Sequence, residues 1–105
     1  MANKNTTSEK ILEKRLSSEV KRLGGWAIKL PAYLVRGLPD RLILMPRGRA
    51  YFAEIKTTGE GLTPVQKLIR SRIEALGFTV YAIDSNEALS LTLKEIEYLN
   101  ADILC

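Results

Sequence analysis

Residues 37–56 read GLPDRLILMPRGRAYFAEIK. Two apolar runs, Leu-Ile-Leu-Met at 42–45 and Ala-Tyr-Phe-Ala at 50–53, flank a short basic turn, Arg47-Gly48-Arg49. This pattern predicts a β-hairpin. Asp40 stands at the start of the first run, and Glu54 and Lys56 interrupt the end of the second. In an antiparallel hairpin those two ends lie side by side. Counted from a turn near Gly48, Asp40 is eight residues before and Lys56 eight after, with Glu54 six after. A shift of about one pair brings Glu54 beside Asp40. Residues 54 and 56 share a face, because strand side chains alternate with period two. All three charges can therefore converge at one end of the hairpin.

Two carboxylates held that close repel, so the pair is costly unless a cation neutralises it. A nearby lysine offsets part of the charge, and it can orient a water or stabilise a developing phosphate charge. Asp, Glu and Lys with Mg²⁺ suffice for phosphodiester hydrolysis. Composition narrows the alternatives. The chain has 105 residues, 46% of them apolar and 27% charged, which fits one domain with one modest core. It contains no histidine and one cysteine, Cys105. A histidine base, nucleophile or ligand is thus excluded, and a structural zinc site within one chain is disfavoured. Any metal must be held by oxygen ligands, which suit Mg²⁺, Mn²⁺ or Ca²⁺. The net charge of +4 is a mild hint of a polyanionic partner. No stretch approaches the roughly 20 apolar residues of a membrane span. MANKNTTSEK lacks the apolar core of a signal peptide, so a cytoplasmic location is expected.

Around the hairpin the pattern predicts α-β-β-β-α-β-α. Residues 1–7 are polar, with fraying expected, and residues 8–105 form a single domain. Ser8 caps a helix carrying Leu12, Leu16, Val20 and Leu23, closed by Gly24-Gly25. A short strand over 26–30 precedes a proline-bounded loop, 31–39. Hairpin strands follow over 40–46 and 50–56, then a flexible loop over 57–62. Thr63 and Pro64 start a helix whose apolar face is Val65, Leu68, Ile69, Ile73 and Leu76. A strand over 78–84 returns by a crossover, and a last helix spans 87–99. Trp26 and Tyr51 read as core residues, while Arg47 and Arg49 read as a solvated turn far from the charged end.

Pro39-Asp40 followed by Glu54-Ile55-Lys56 resembles the PD-(D/E)XK nuclease motif. The predicted order also resembles that restriction-endonuclease-like α/β fold, an αβββαβ(α) core of mixed sheet with flanking helices. More narrowly, Gly37-Leu38-Pro39-Asp40-Arg41, the gap of 13 residues to Glu54, and Leu62-Thr63-Pro64-Val65-Gln66 resemble the VRR-NUC family over about residues 9–84. That family includes small stand-alone phage proteins, so a phage-encoded or bacterial host setting is implied. The namesake Val-Arg-Arg pattern finds only a loose echo in Leu34-Val35-Arg36.

The resemblance implies that Asp40 and Glu54 are metal ligands, with the Ile55 carbonyl a possible third, and that Lys56 is the catalytic lysine. Gln66 would line the site. A first-helix glutamate usually completes such sites. The helical wheel leaves Glu9, Glu13 and Glu19 open, and similarity to related resolvases favours Glu13. Lys29 is similar to a basic position common in the family. From their own positions in the sequence, Arg36, Arg41, Lys67 and Arg70 are candidates for tracking DNA phosphates, and Tyr33 for touching DNA.

The implied activity is a Mg²⁺-dependent endonuclease, with Mn²⁺ as substitute, working as a homodimer on branched DNA such as Holliday junctions. The apolar end of the chain, Leu99, Ile103 and Leu104, is the expected dimer surface. Rival readings are a flap or single-strand nuclease of the same fold, a catalytically silent DNA-binding module, and a metal-binding structural protein.

Overall fold

A computed structural model describes residues 8–57, 59 and 61–101. The frayed tip expected at 1–7, and Ile103, Leu104 and Cys105, lie outside the described residues. The chain begins with α1 (Glu9–Arg22), followed by β1 (Trp26–Lys29). The hairpin strands are β2 (Arg41–Met45) and β3 (Arg49–Ile55), joined by a single turn of 3₁₀ helix, Pro46–Gly48. Then come α2 (Pro64–Ala75), β4 (Val80–Ile83) and α3 (Asn86–Asn100). The observed order matches the expected one, and the elements form a mixed sheet with flanking helices.

The strands form one sheet in the order β1-β2-β3-β4. The first three run antiparallel, and β4 joins β3 in parallel after the α2 crossover. Period-two alternation then sorts the side chains. Ile43, Met45, Tyr51, Ala53, Ile55 and Ile83 point to one face, where they meet Leu12, Leu16 and Val20 of α1 and Leu89, Leu93 and Ile96 of α3. The α1 triplet is fully buried because its spacing places it on one helical stripe. Ser8 accepts a hydrogen bond from the Ile11 amide at 3.2 Å and so starts that helix. At the other end, a Cβ on Gly25 would lie 2.6 Å from the Leu44 carbonyl, so only glycine lets α1 pass this close to the sheet.

The opposite sheet face is covered much less. Phe52 meets Phe78 edge-on there, with ring centroids 5.9 Å apart. The α2 helix has no fully buried residue; Leu68 and Leu76 are 59% and 77% exposed. Of the apolar face expected on α2, Val65, Ile69 and Ile73 are half-buried, while the two leucines face outward. Trp26, expected in the core, is 65% exposed. It lies opposite Leu44, one step out of phase with the core-facing pair Ala27 and Ile43, so its side chain falls on the sparsely covered face. Tyr51 is buried as expected.

The basic turn does more than its sequence reading expected. Arg47 takes the left-handed conformation (φ 66°), which costs a non-glycine residue about 1–2 kcal/mol. Its guanidinium donates to the carbonyl of Asn100, and that of Arg49 to the carbonyl of Leu99 at 2.7 Å. These are the last carbonyls of α3, which lack helical partners and carry the negative end of the helix dipole. The turn is exposed, as its sequence reading expected, and in addition it clasps the end of α3.

Candidate active site

Arg41 pairs with Ala53, so one further step of the same register sets Asp40 opposite Glu54. Ala53 and Ile55 face the core, hence Glu54 projects from the other face, toward α2. The sequence reading required Asp40 and Glu54 to share a face, and this register gives that geometry. The Ile55 amide reaches Asp40 Oδ2 at 3.5 Å, while Asp40 Oδ1 is buried without a hydrogen-bond partner. Both acids are held in their protonated form more readily than usual. Burial pushes Asp40 up to about 6, against the opposing pull of Arg41 and the Ile55 amide. Burial and then the Asp40 charge push Glu54 up to about 7, with Lys56 opposing.

Lys56 continues the strand by donating its amide to the Ile83 carbonyl at 2.9 Å. Its Nζ donates to Gln66 Oε1 at 3.4 Å, and Gln66 Nε2 donates to Glu54 Oε2 at 3.4 Å. Gln66 therefore links the lysine to the glutamate. It is itself fixed by a capping box: the Thr63 amide donates to Gln66 Oε1 at 2.8 Å, and the Gln66 amide to Thr63 Oγ1 at 3.2 Å. The spacing Thr63-x-x-Gln66 is the sequence signal for that box. It shows how a helix start becomes a wall of the site.

These side chains line a cleft of about 410 Å³, together with Glu9, Lys29, Thr63 and the loop residues Leu30, Ala32, Gly37 and Leu38. Glu9 Oε2 accepts from the Thr57 amide at 3.0 Å, which fixes it at the cleft. Glu13 does not line the cleft; its carboxylate pairs with Arg41 at 3.1 Å. Arg41 is only 4% exposed and also donates to the Asp40 carbonyl at 3.1 Å. The expectation that Arg41 tracks phosphate does not suit that burial, because its guanidinium is turned inward between α1 and β2. Lys29 lines the cleft, and Tyr33 and Arg36 are exposed on the adjoining loop. Lys67 is exposed on α2 but outside the cleft, and Arg70 pairs with Glu74 at 3.0 Å.

Among the described residues, no three His, Cys, Asp or Glu side chains are gathered closely enough to hold a metal ion by themselves. A cation here would thus rest on two carboxylates, main-chain oxygen and water. The donor chemistry suits a hard divalent cation. The partnerless Asp40 oxygen and the two raised carboxyl groups are features that a bound cation would relieve.

The four-stranded mixed sheet, with the acids and lysine at the open end of its central hairpin, defines a restriction-endonuclease-like α/β fold. No family model matches the sequence. The chain is 42% identical over 83 residues to "Putative nuclease p44" of Acyrthosiphon pisum secondary endosymbiont phage 1, covering 79% of this chain and 89% of that protein. A solved structure described as a VRR_NUC domain superposes with a TM-score of 0.74 at 26% identity, covering 82% of this chain and 94% of the other. The chain belongs to the VRR-NUC family. Among the described residues, no helix is long and apolar enough to cross a membrane.

Proposed function

We propose that this protein is a metal-dependent endonuclease that hydrolyses phosphodiester bonds of DNA, with branched DNA such as four-way junctions as its substrate. The observation that carries the reading is the cleft in which Asp40, Glu54 and Lys56 meet, joined through Gln66. Family membership and the nuclease name of the phage relative support it.

Asp40, Glu54 and the Ile55 carbonyl would hold Mg²⁺, or Mn²⁺ in its place. The bound cation would supply Lewis acidity at the phosphate and lower the pKa of a water. The chain's own residues do the rest. Lys56 Nζ, held by Gln66 Oε1, points a positive charge into the cleft, where it orients the attacking water or stabilises charge developing on the phosphate. Gln66 limits the freedom of Lys56 and Glu54 together, which cuts the entropy lost on reaching the reactive geometry. Glu9 is the first-helix glutamate best placed to join them, since it lines the cleft while Glu13 is engaged by Arg41. Lys29 and Arg36 would meet phosphates on the substrate backbone.

A homodimer fits the substrate, because two sites related by a two-fold axis suit paired cuts in a symmetric junction. The test is cleavage of four-way, flap and linear DNA with Mg²⁺, wild type against Lys56→Ala. Cutting of the four-way junction above the others, lost in the variant, is expected. Preferential cutting of the flap would move the specificity. If no DNA is cut and Asp40→Ala leaves DNA binding and metal affinity unchanged, the reading fails.

A further inference from the structure

The loop between β1 and β2 leaves the cleft wall at Ala32 and returns to it at Gly37. Between them stand Tyr33, Leu34, Val35 and Arg36, all exposed. Tyr33 is 86% exposed, Leu34 55% and Val35 48%. Three large apolar side chains in a row, presented to water, are an unusual use of a loop. No tip residue is more than two positions from a cleft-lining one, so the tip lies within about 8 Å of the wall, Cα to Cα.

The tip is also pinned. The Leu34 amide donates to the Pro31 carbonyl at 3.2 Å, and the Leu38 amide to the Val35 carbonyl at 3.0 Å. At its base the Leu30 amide donates to the Asp40 carbonyl at 2.9 Å, so the loop closes on the residue that carries the first carboxylate. Gly37 has φ +85°, and a Cβ there would lie 2.8 Å from the Val65 carbonyl, so the returning limb rests against the first turn of α2. Pro39 behind it is buried. The two turns shape the tip and the contacts at its base anchor it beside the cleft, with its apolar side chains exposed.

We propose that the Tyr33-Leu34-Val35 tip is a wedge that enters the base stack of DNA next to the phosphate held in the cleft, with Tyr33 stacking on the displaced base. This rests on the nuclease reading above. Apolar side chains are the usual intercalating wedges of DNA-bending proteins, and an aromatic ring accepts any base on its face. The charges nearby agree with a nucleic acid as the occupant. Arg36 adjoins the tip and Lys29 lines the cleft beneath it, both set to meet backbone phosphate. A wedge also gives a small domain a reason to favour branch points, where stacking is already interrupted and opening it costs less.

The test uses the full chain with Tyr33→Ser, Leu34→Ser and Val35→Ser combined. All three side chains are exposed, and an unchanged melting temperature checks folding. Two readouts are taken. The first is the ratio of cutting rates on duplex or four-way DNA to those on a single-stranded oligonucleotide. It is expected to fall about tenfold, because the lost step is opening the stack. The second is the fluorescence of 2-aminopurine at the base across the opened step from the one that stacks on Tyr33, read on the Lys56→Ala protein with and without the tip substitutions. Brightening on binding with the native tip, and none with the serine tip, is expected. The wedge is overturned if the serine tip keeps the wild-type rate ratio and the same brightening. It is also overturned if the serine tip turns a dimer into a monomer in sedimentation, which would make the tip a contact between copies. If wild type cuts none of these DNAs, the nuclease reading falls first, and the wedge with it.

Discussion

At the turn end of the hairpin, Arg47 and Arg49 donate to the last carbonyls of α3; at the open end, Asp40 and Glu54 face one another with one carboxylate oxygen buried and partnerless. Sequence alone presents both ends in the same way, as charges bounding an apolar strand pair. The difference lies in what meets them. The arginines find the negative end of a helix and become structural. The acids find each other, and burial raises both of their pKa values. A protein that keeps such a mutually repelling pair is less stable for it, which is the usual trade between stability and a working site.

Substitutions at the two ends should therefore fail in different ways. The largest effect is expected from Asp40→Asn or Lys56→Ala: loss of DNA cleavage by about a hundredfold to a thousandfold, with a melting temperature in EDTA no lower than wild type for Asp40→Asn. A large loss of stability in both would contradict the idea that these charges serve the site rather than the fold.

Next in size is the contrast between two glutamates of α1. Glu13→Gln should destabilise the fold by about 2–3 kcal/mol in urea titration, since it leaves the Arg41 guanidinium buried without its counter-charge. Glu9→Gln should leave stability nearly unchanged and lower cleavage, because Glu9 lines the cleft. The reverse pattern would return the site role to Glu13.

A smaller effect is expected at the turn end. Arg49→Ala should cost about 1 kcal/mol of stability, the worth of one hydrogen bond to a helix terminus, and leave kcat unchanged. A loss of cleavage without a loss of stability would make this end part of the substrate surface.

The pH dependence sharpens the comparison further. Asp40 and Glu54 hold protons more tightly folded than unfolded, where their values are 3.8 and 4.5. Their contribution to stability is thus fully present below about pH 4. It is lost as pH rises through about 6 and 7. Thermal melts in EDTA should show this decline between pH 4 and 8, and Asp40→Asn should flatten it. Saturating Mg²⁺ should reduce or reverse it, because the cation binds the deprotonated carboxylates. An identical slope with and without Mg²⁺ would remove the cation from these two residues.

Much of this was legible in residues 37–56. Two apolar runs around a basic turn identify the hairpin, and counting outward from that turn brings Asp40, Glu54 and Lys56 to one end. The α1 stripe Leu12, Leu16 and Val20 was equally readable, because its spacing is a direct property of the helix. Other features were not. Trp26 looks like a core residue by type, and only its register opposite Leu44 puts it on the thinly covered face. Arg41 looks like a surface cation, and only the approach of Glu13 from α1 explains its burial.

The sequence by itself determined the elements and their local ends, because periodicity, caps and turns depend on residues a few positions apart. It also showed that the two acids and the lysine can gather at one end of a hairpin. Which partners those charges meet was decided only by the tertiary structure. Gln66 reaches Lys56 and Glu54 because the crossover lays the start of α2 against the strand end. Glu9 lines the cleft while Glu13 pairs with Arg41 because α1 docks on the sheet at one particular height. The docking of whole elements is set by the summed packing of many side chains, and no short spacing in the chain records it.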